Sequence, residues 1–183
     1  MKTTIFLFHP HFAHFRINAA LVNQAPVEVR KLYQLYPTET IDITAEQAAL
    51  SAAERIVWQF PLYWYSGPSL MKKWLDQVLT AGWAYDGGTA LQGKELLLAT
   101  TMGGRLTDYQ PTGAQGHTVA EFLLPLTVTG EYVGMKLLPP FIVDNTVDIT
   151  DSQLAAAAQR YHQLLLTPVK NAPLDQTGSQ GRI

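Results

Sequence analysis

The sequence of 183 residues contains no cysteine. Disulfides, zinc–thiolate sites and thiol nucleophiles are therefore excluded, and this composition suits the reducing cytosol. Charged residues are also scarce, at 15%, and the formal net charge of −2 gives no reason to expect nucleic acid as a partner.

Long apolar runs and targeting signals are missing as well. No apolar stretch is long enough to cross a bilayer, and Met1 leads directly into a predicted strand without a signal peptide. We therefore expect a cytoplasmic protein, which could be peripheral on the inner face of the cell membrane only through a partner.

The sequence lacks the motifs of several large enzyme classes. We find no glycine-rich dinucleotide fingerprint after the first predicted strand, no Walker loop, no nucleophile elbow and no spacing typical of a metal site. No metal is expected. Because side chains alone cannot carry a hydride, a redox function would require a bound cofactor.

Short apolar runs alternate with helical patterns along the chain, which predicts an α/β fold with a doubly wound parallel sheet. The second and last strands have the pattern of sheet edges, so we expect a three-layer sandwich of five strands in the order 2-1-3-4-5. We predict one domain over residues 1–166 and a disordered tail over 167–183. The predicted strands are 3–8, 27–33, 55–60, 94–101 and 135–143, and the predicted helices are 19–24, 44–53, 69–79, 118–129 and 150–166.

The most informative stretch follows the third predicted strand, where Tyr63, Trp64 and Tyr65 are consecutive. Three consecutive aromatic side chains cannot all face one core. At the carboxyl end of a parallel strand, some should project over the crevice where α/β folds bind ligands, and a flat heteroaromatic ring is the natural guest. The alternative is that these rings only pack the corner between strand and helix.

Two further loops are predicted to reach the same crevice. Gly103 and Gly104 follow the fourth strand, where glycine permits positive φ and a close approach of backbone amides to a ligand. The loop from His9 to Asn18 follows the first strand, with three histidines and Arg16, and this position in doubly wound folds holds phosphate.

The motifs together resemble one family. The sequence FPLYWYSGP at residues 60–68, followed by LMKKWLD at 70–76, is similar to the flavin loop of the flavodoxin-like NAD(P)H:quinone oxidoreductases. Within that family, the chain most resembles the soluble oxidoreductases that accompany Kef-type glutathione-regulated potassium-efflux antiporters. Further matches are LYQLYP at 32–37, IDI at 41–43, GWAY at 82–85 and GGTALQGK at 87–94, in an order that extends to about residue 166.

The resemblance implies an NAD(P)H dehydrogenase (quinone) in which one flavin is reduced by NAD(P)H and then reoxidised by a quinone. FMN is expected over FAD, because the chain lacks the extra length that larger members use around the adenine. The resemblance also implies a homodimer, with residues 82–88 near the subunit interface, and an antiporter as a possible partner. Two alternatives stay open: a regulatory subunit in which the flavin is structural, and a stand-alone quinone, nitro or azo reductase.

The resemblance also assigns site residues. Tyr109 and His117 are the expected catalytic residues, although the family has histidine at the position of Gln115 here, so that His117 either replaces it or the histidine is dispensable. The family has serine where this chain has Phe15, with Arg16 or His14 as the possible replacement. The residues expected to bind the cofactor are His9, Phe15, Arg16, Ile17, Asn18, Leu62, Tyr63, Trp64, Tyr65, Thr101, Met102, Gly103, Gly104 and Tyr109.

Overall fold

A parallel sheet between two layers of helices forms the centre of the protein, which a computed structural model describes for residues 1–10, 16–23 and 25–168. The strand order is β2-β1-β3-β4-β5, and β6 also pairs with β4. The α/β fold and the predicted order are thereby confirmed. The strands are β1 (Thr3–Leu7), β2 (Glu28–Lys31), β3 (Arg55–Pro61), β4 (Glu95–Thr101), β5 (Lys136–Leu137) and β6 (Phe141–Val143).

Each face of the sheet packs against its own set of helices, because side chains along a strand alternate between the two faces. Phe6 and Trp58 lie in one buried cluster with Trp74, whereas Ile5 and Val57 lie in the other. The helices are α1 (Arg16–Val22), α2 (Leu32–Leu35), α3 (Ile43–Ala52), α4 (Ser69–Val78), α5 (Val119–Tyr132) and α6 (Asp151–Leu166).

The last predicted strand is split in two. β5 and β6 both pair in parallel with β4, at opposite ends of that strand. Pro139 and Pro140 lie between them, and proline cannot donate a hydrogen bond to the ladder. The prediction of a single strand over 135–143 was therefore wrong, although its place at the sheet edge was right.

Three further predictions, two of helices and one of a strand, also need correction. α1 begins at Arg16 instead of residue 19, because Ile17 and Leu21 lie four residues apart and both face the core. The four-residue helix α2 replaces the end of the predicted second strand. The N-cap of α3 is Asp42, whose carboxylate accepts from the amide of Ala45 at 3.0 Å, so the helix begins at Ile43 instead of residue 44.

The last helix ends where it was predicted to end, since α6 ends at Leu166. One domain over residues 1–166 stays a prediction. The prediction of a disordered tail remains a prediction, since residues 169–183 lie outside the described ranges. Within those ranges, no helix has the length and apolar character needed to cross a membrane.

Candidate functional site

The aromatic stretch forms a tight turn at the carboxyl end of β3. The strand continues through Pro61, and the amide of Leu62 donates to the carbonyl of Thr101 at 2.8 Å. Tyr63 and Ser66 then exchange two backbone hydrogen bonds, at 2.8 and 3.0 Å. The two residues between them both have positive φ, +48° at Trp64 and +62° at Tyr65, which makes this a type I′ turn.

Trp64 and Tyr65 are unusual residues for such a turn. Type I′ turns normally place asparagine or glycine at the two central positions, because the left-handed region costs other residues roughly 1–2 kcal/mol each. Backbone strain of this kind is concentrated at functional sites. The turn is therefore better explained by a role of its amides and aromatic rings in binding a ligand than by the local preferences of its residues.

The three aromatic rings point in different directions. Tyr63 is half-buried with its ring 6.4 Å from that of His9, whereas Tyr65 lies 4.8 Å from the ring of Phe122 and donates to Gln115 at 2.9 Å. Trp64 is 93% exposed. Packing of the strand–helix corner does not account for Trp64, whose indole makes little contact with the protein.

The loop after β4 lies beside this turn. Thr101 and Met102 are buried, and the amide of Met102 donates to Val143 at 3.0 Å. Neither Gly103 nor Gly104 has positive φ, so that part of the glycine prediction was wrong. Gly104 instead allows a close approach: a Cβ there would lie 3.0 Å from Cε2 of Tyr109, which would have to move by a few tenths of an ångström.

Tyr109 and His117 meet at Phe122. The ring of Phe122 lies 5.9 Å from that of Tyr109 and 5.8 Å from that of His117. Tyr109 is buried, and burial raises its pKa, with smaller contributions from Tyr65 and Asp108. The phenol therefore stays protonated near neutral pH and available as a hydrogen-bond donor. His117 is exposed and lies 3.5 Å from Glu121.

The first loop contributes residues in different ways. His9 and Ile17 are buried, and the side chain of Ile17 belongs to the core, so that only its backbone could face a ligand. The guanidinium of Arg16 pairs with Asp151 and donates to the carbonyl of Ile149 at 2.6 Å. Phe15 and the possible substitute His14 lie outside the described residues.

Asn18 belongs to a buried chain of polar side chains. Its amide nitrogen donates to Oγ1 of Thr101 at 3.0 Å, and its oxygen accepts from Gln59 at 3.0 Å. Gln59 in turn accepts from the hydroxyl of Tyr161 at 2.8 Å. Sequence reasoning missed Gln59 and Tyr161, although a glutamine inside the apolar run of β3 was a usable signal.

The loop after β6 completes the rim and was also missed. The amide of Asn145, which has φ of +48°, donates to Gly104 at 2.9 Å, and that of Thr146 donates to Met102 at 3.1 Å. These bonds fix the Gly103–Gly104 segment from the side opposite to the aromatic turn. Val147 is exposed close to Gly103.

An apolar cleft adjoins the aromatic turn. It has a volume of about 440 Å³ and lies between α4 and α5, with Leu62, Phe122 and Tyr132 in its walls. Phe122 thus borders both the cleft and the cluster formed with Tyr65, Tyr109 and His117. Among the described residues, no group of histidine and acidic side chains could hold a metal ion.

This arrangement suits a flat ring with a polar edge. The rings of Tyr65 and Phe122 and the exposed indole of Trp64 offer apolar faces, and the exposed Gly103 leaves the backbone of its loop accessible. Among the described residues, the amides of Trp64 and Tyr65 have no hydrogen-bond partner. The site therefore provides stacking surfaces and backbone donors for a heteroaromatic cofactor.

Comparisons with known proteins agree with this geometry. A sequence family described as having a flavodoxin-like fold matches residues 1–165. An uncharacterized NAD(P)H oxidoreductase, YrkL of Bacillus subtilis, is 43% identical over 165 residues, covering 87% of this chain and 95% of the relative. The glutathione-regulated potassium-efflux system ancillary protein KefF of Salmonella schwarzengrund is 47% identical over 164 residues, covering 87% and 92%.

Solved structures resemble the chain over most of its length. General stress protein 14 of Treponema denticola, in complex with FMN, is 37% identical with a TM-score of 0.85, covering 90% of this chain and 98% of that one. An NADPH-quinone reductase from P. pentosaceus is 29% identical with a TM-score of 0.81, covering 90% and 98%. A structure named thermophilic tryptophan halogenase from Streptomycin violaceusniger is 40% identical with a TM-score of 0.87, covering 90% and 99%. The resemblance inferred from the sequence motifs is confirmed.

The backbone strain at Trp64 can be tested without a ligand, because the indole is exposed. Trp64→Asn should leave the free energy of unfolding of the apo protein unchanged or raise it by up to about 1 kcal/mol, since asparagine tolerates positive φ. Trp64→Val should lower it by about 1 kcal/mol, because a β-branched residue does not. Urea unfolding measures both, and equal stabilities for the two variants would contradict a strained turn.

Proposed function

The chain belongs to the family with a flavodoxin-like fold, and from this membership we propose that it is an FMN-dependent NAD(P)H:quinone oxidoreductase. The observation that carries the proposal is the strained aromatic turn at Trp64 and Tyr65, placed opposite the Gly103–Gly104 segment. The names of the matched relatives, NAD(P)H oxidoreductase and NADPH-quinone reductase, support an oxidoreductase. The FMN complex of a 37% identical structure supports the cofactor.

The cofactor would be held by backbone on two sides. We assign the ring to the crevice between residues 62–65 and residues 101–104, with donors from the free amides of the aromatic turn. The phosphate is assigned to the loop from His9 to Asn18. Within that loop, the contributions of Phe15, Arg16 and Ile17 remain predictions. FMN fits the length of the chain, and FAD is the other flavin to be tested.

The residues around Phe122 would act on the reacting groups. When held there, FMN would supply ping-pong redox chemistry, in which NAD(P)H is oxidised by loss of a hydride and a quinone is then reduced to a hydroquinone by two electrons and two protons. Tyr109 donates a hydrogen bond to an oxygen that gains negative charge, because burial keeps its phenol protonated. His117, held by Glu121 and Phe122, supplies a second polar group at the mouth.

A second copy of the chain would cover the cleft beside the turn. Leu124, Val128 and Tyr132 are spaced four residues apart on α5, and each is at least 50% exposed. They form an apolar stripe next to the cleft between α4 and α5, and such stripes on soluble proteins mark interaction surfaces. We therefore assign this face to a homodimer.

Three other roles remain to be distinguished. The 47% identity to KefF favours an antiporter partner, so a cytoplasmic regulatory subunit with a structural flavin is the second candidate. A stand-alone quinone, nitro or azo reductase would need no partner. Halogenation is suggested by the name of one structural neighbour alone.

The purified protein should bind about one FMN per chain and oxidise NAD(P)H with a benzoquinone as acceptor. Absorbance at the flavin band after titration of the apo protein, followed by steady-state turnover, tests both statements. A protein that takes up neither FMN nor FAD would end the proposal. Flavin uptake without turnover, together with co-purification of an antiporter, would favour the regulatory role.

Substitutions at Tyr109 and His117 should separate the two half-reactions. His117→Ala should slow flavin reoxidation by quinone about tenfold, or roughly 1.4 kcal/mol of barrier, and Tyr109→Phe should slow it at least as much. Rapid mixing measures reduction by NADPH and reoxidation independently. Glu121→Gln is the matched control, because it removes the charge beside His117 but keeps the ring. If both half-reactions of both variants match wild type, the substrate lies elsewhere, against the aromatic turn.

The dimer can be disrupted from the apolar stripe. Val128→Glu should convert the protein to a monomer in sedimentation velocity, because a buried unpaired carboxylate is unfavourable at an interface. Ala155→Glu, on the exposed face of α6, is the control and should leave the dimer intact. A wild-type monomer at micromolar concentration would contradict the assignment.

A further inference from the structure

Four buried polar side chains behind the crevice form a series of hydrogen bonds, and in every bond the donor lies on the same side. Tyr161, Gln59, Asn18 and Thr101 come from α6, β3, α1 and β4, and none is more than 5% exposed. The three hydrogen bonds that join them measure 2.8, 3.0 and 3.0 Å. They therefore run along the face of the sheet that packs against α1 and α6, from Tyr161 to the last residue of β4.

Tyr161, at the buried end of this series, determines which group donates in each hydrogen bond. The hydroxyl of Tyr161 is fully buried, and burial raises its pKa, so it remains a neutral phenol that must donate its proton. Among the described residues its only acceptor is Oε1 of Gln59. If donors and acceptors were exchanged along the series, Gln59 would donate to Tyr161. The phenol proton would then have no acceptor, at a cost of about 1–3 kcal/mol.

The same direction then passes through both amides. Gln59 accepts at its oxygen, so its nitrogen faces Asn18, and Asn18 accepts at its oxygen, so its nitrogen faces Thr101. Oγ1 of Thr101 accepts the last hydrogen bond. Its own proton must therefore point away from Asn18, and no acceptor for it is found among the described residues.

Thr101 lies where that proton would be useful. It is the last residue of β4, and its carbonyl accepts from Leu62 at the start of the aromatic turn. Met102, Gly103 and Gly104 follow it directly. Its hydroxyl points to the α1 side of the sheet, at the carboxyl end where the loops after β1, β3 and β4 meet.

We propose that Tyr161, Gln59 and Asn18 are positioning residues that hold the hydroxyl proton of Thr101 outward, as a fixed hydrogen-bond donor to an acceptor atom of the flavin. This inference rests on the proposed function, since it needs a flavin in the crevice. The phenol of Tyr161, in α6, does not contact the cofactor and acts on its binding only through Gln59, Asn18 and Thr101. A donor at this position stabilises the more electron-rich, reduced flavin over the oxidised form.

The experiment compares two buried tyrosines that each lose one hydroxyl. Tyr161→Phe removes the first hydrogen bond of the buried series, whereas Tyr36→Phe removes a hydrogen bond of 2.6 Å to Glu46, a buried residue of α3 in the opposite helix layer. Both variants should lose similar stability in urea. Only Tyr161→Phe should weaken FMN binding, by about threefold to tenfold in fluorescence titration.

Three readouts go beyond stability. A tenfold loss of preference for reduced FMN would lower the two-electron midpoint potential of Tyr161→Phe by about 30 mV. Thr101→Val should lower the midpoint potential by a similar amount, whereas Thr101→Ser, which keeps the hydroxyl, should have the wild-type potential. In the Thr101→Val background, Tyr161→Phe should not lower the potential further. In the apo protein, Tyr161→Phe should speed solvent exchange of the Asn18 side-chain amide protons in NMR spectra.

The outcomes separate this inference from the proposed function. If wild type binds FMN and Tyr161→Phe changes only stability, as Tyr36→Phe does, Tyr161 is a core residue and the positioning role is wrong. An additive effect of Tyr161→Phe in the Thr101→Val background would also overturn it. If wild type binds no flavin, both the donor role and the proposed function fail together.

Discussion

The hydrogen bonds of Thr101 hold the candidate site together. Its carbonyl accepts from Leu62, which sets the start of the aromatic turn, and its hydroxyl accepts from Asn18, which ties α1 to the sheet. The next residue, Met102, is bonded to the β6 edge. The loops after β1, β3, β4 and β6 are thus held in place by hydrogen bonds of Thr101 and its neighbour. A shift of β4 would displace all of them.

This dependence explains where strain is tolerated. The type I′ turn at Trp64 and Tyr65 is unfavourable by itself, but both of its ends are fixed by backbone hydrogen bonds and Tyr65 is held by Phe122 and Gln115. Strain persists only where the surrounding structure over-determines it. The turn therefore presents backbone amides beside exposed aromatic rings in a fixed arrangement. A flat cofactor can bind there without first ordering the loop.

The sequence predicted the fold well, because apolar periodicity and strand patterns are local signals. The order of the sheet, α4 and α6 followed from such patterns. What it missed depends on tertiary contacts: the left-handed turn at Trp64, the role of Gln59 and Tyr161, and Phe122 as the meeting point of Tyr109 and His117. The assignment of Asn18 to the cofactor stays a prediction, and its amide also forms two hydrogen bonds inside the protein that the sequence did not indicate. No spacing rule reveals a partner on another element.

The most direct measurement is a crystal structure of the protein grown with FMN. We expect the isoalloxazine ring between residues 62–65 and 101–104, with the amides of Trp64 and Tyr65 within hydrogen-bond distance of its edge and Oγ1 of Thr101 donating to an acceptor atom of the flavin. FMN bound in the cleft between α4 and α5, or a flavin that leaves the turn and Thr101 without contacts, would show that the cofactor site is assigned wrongly.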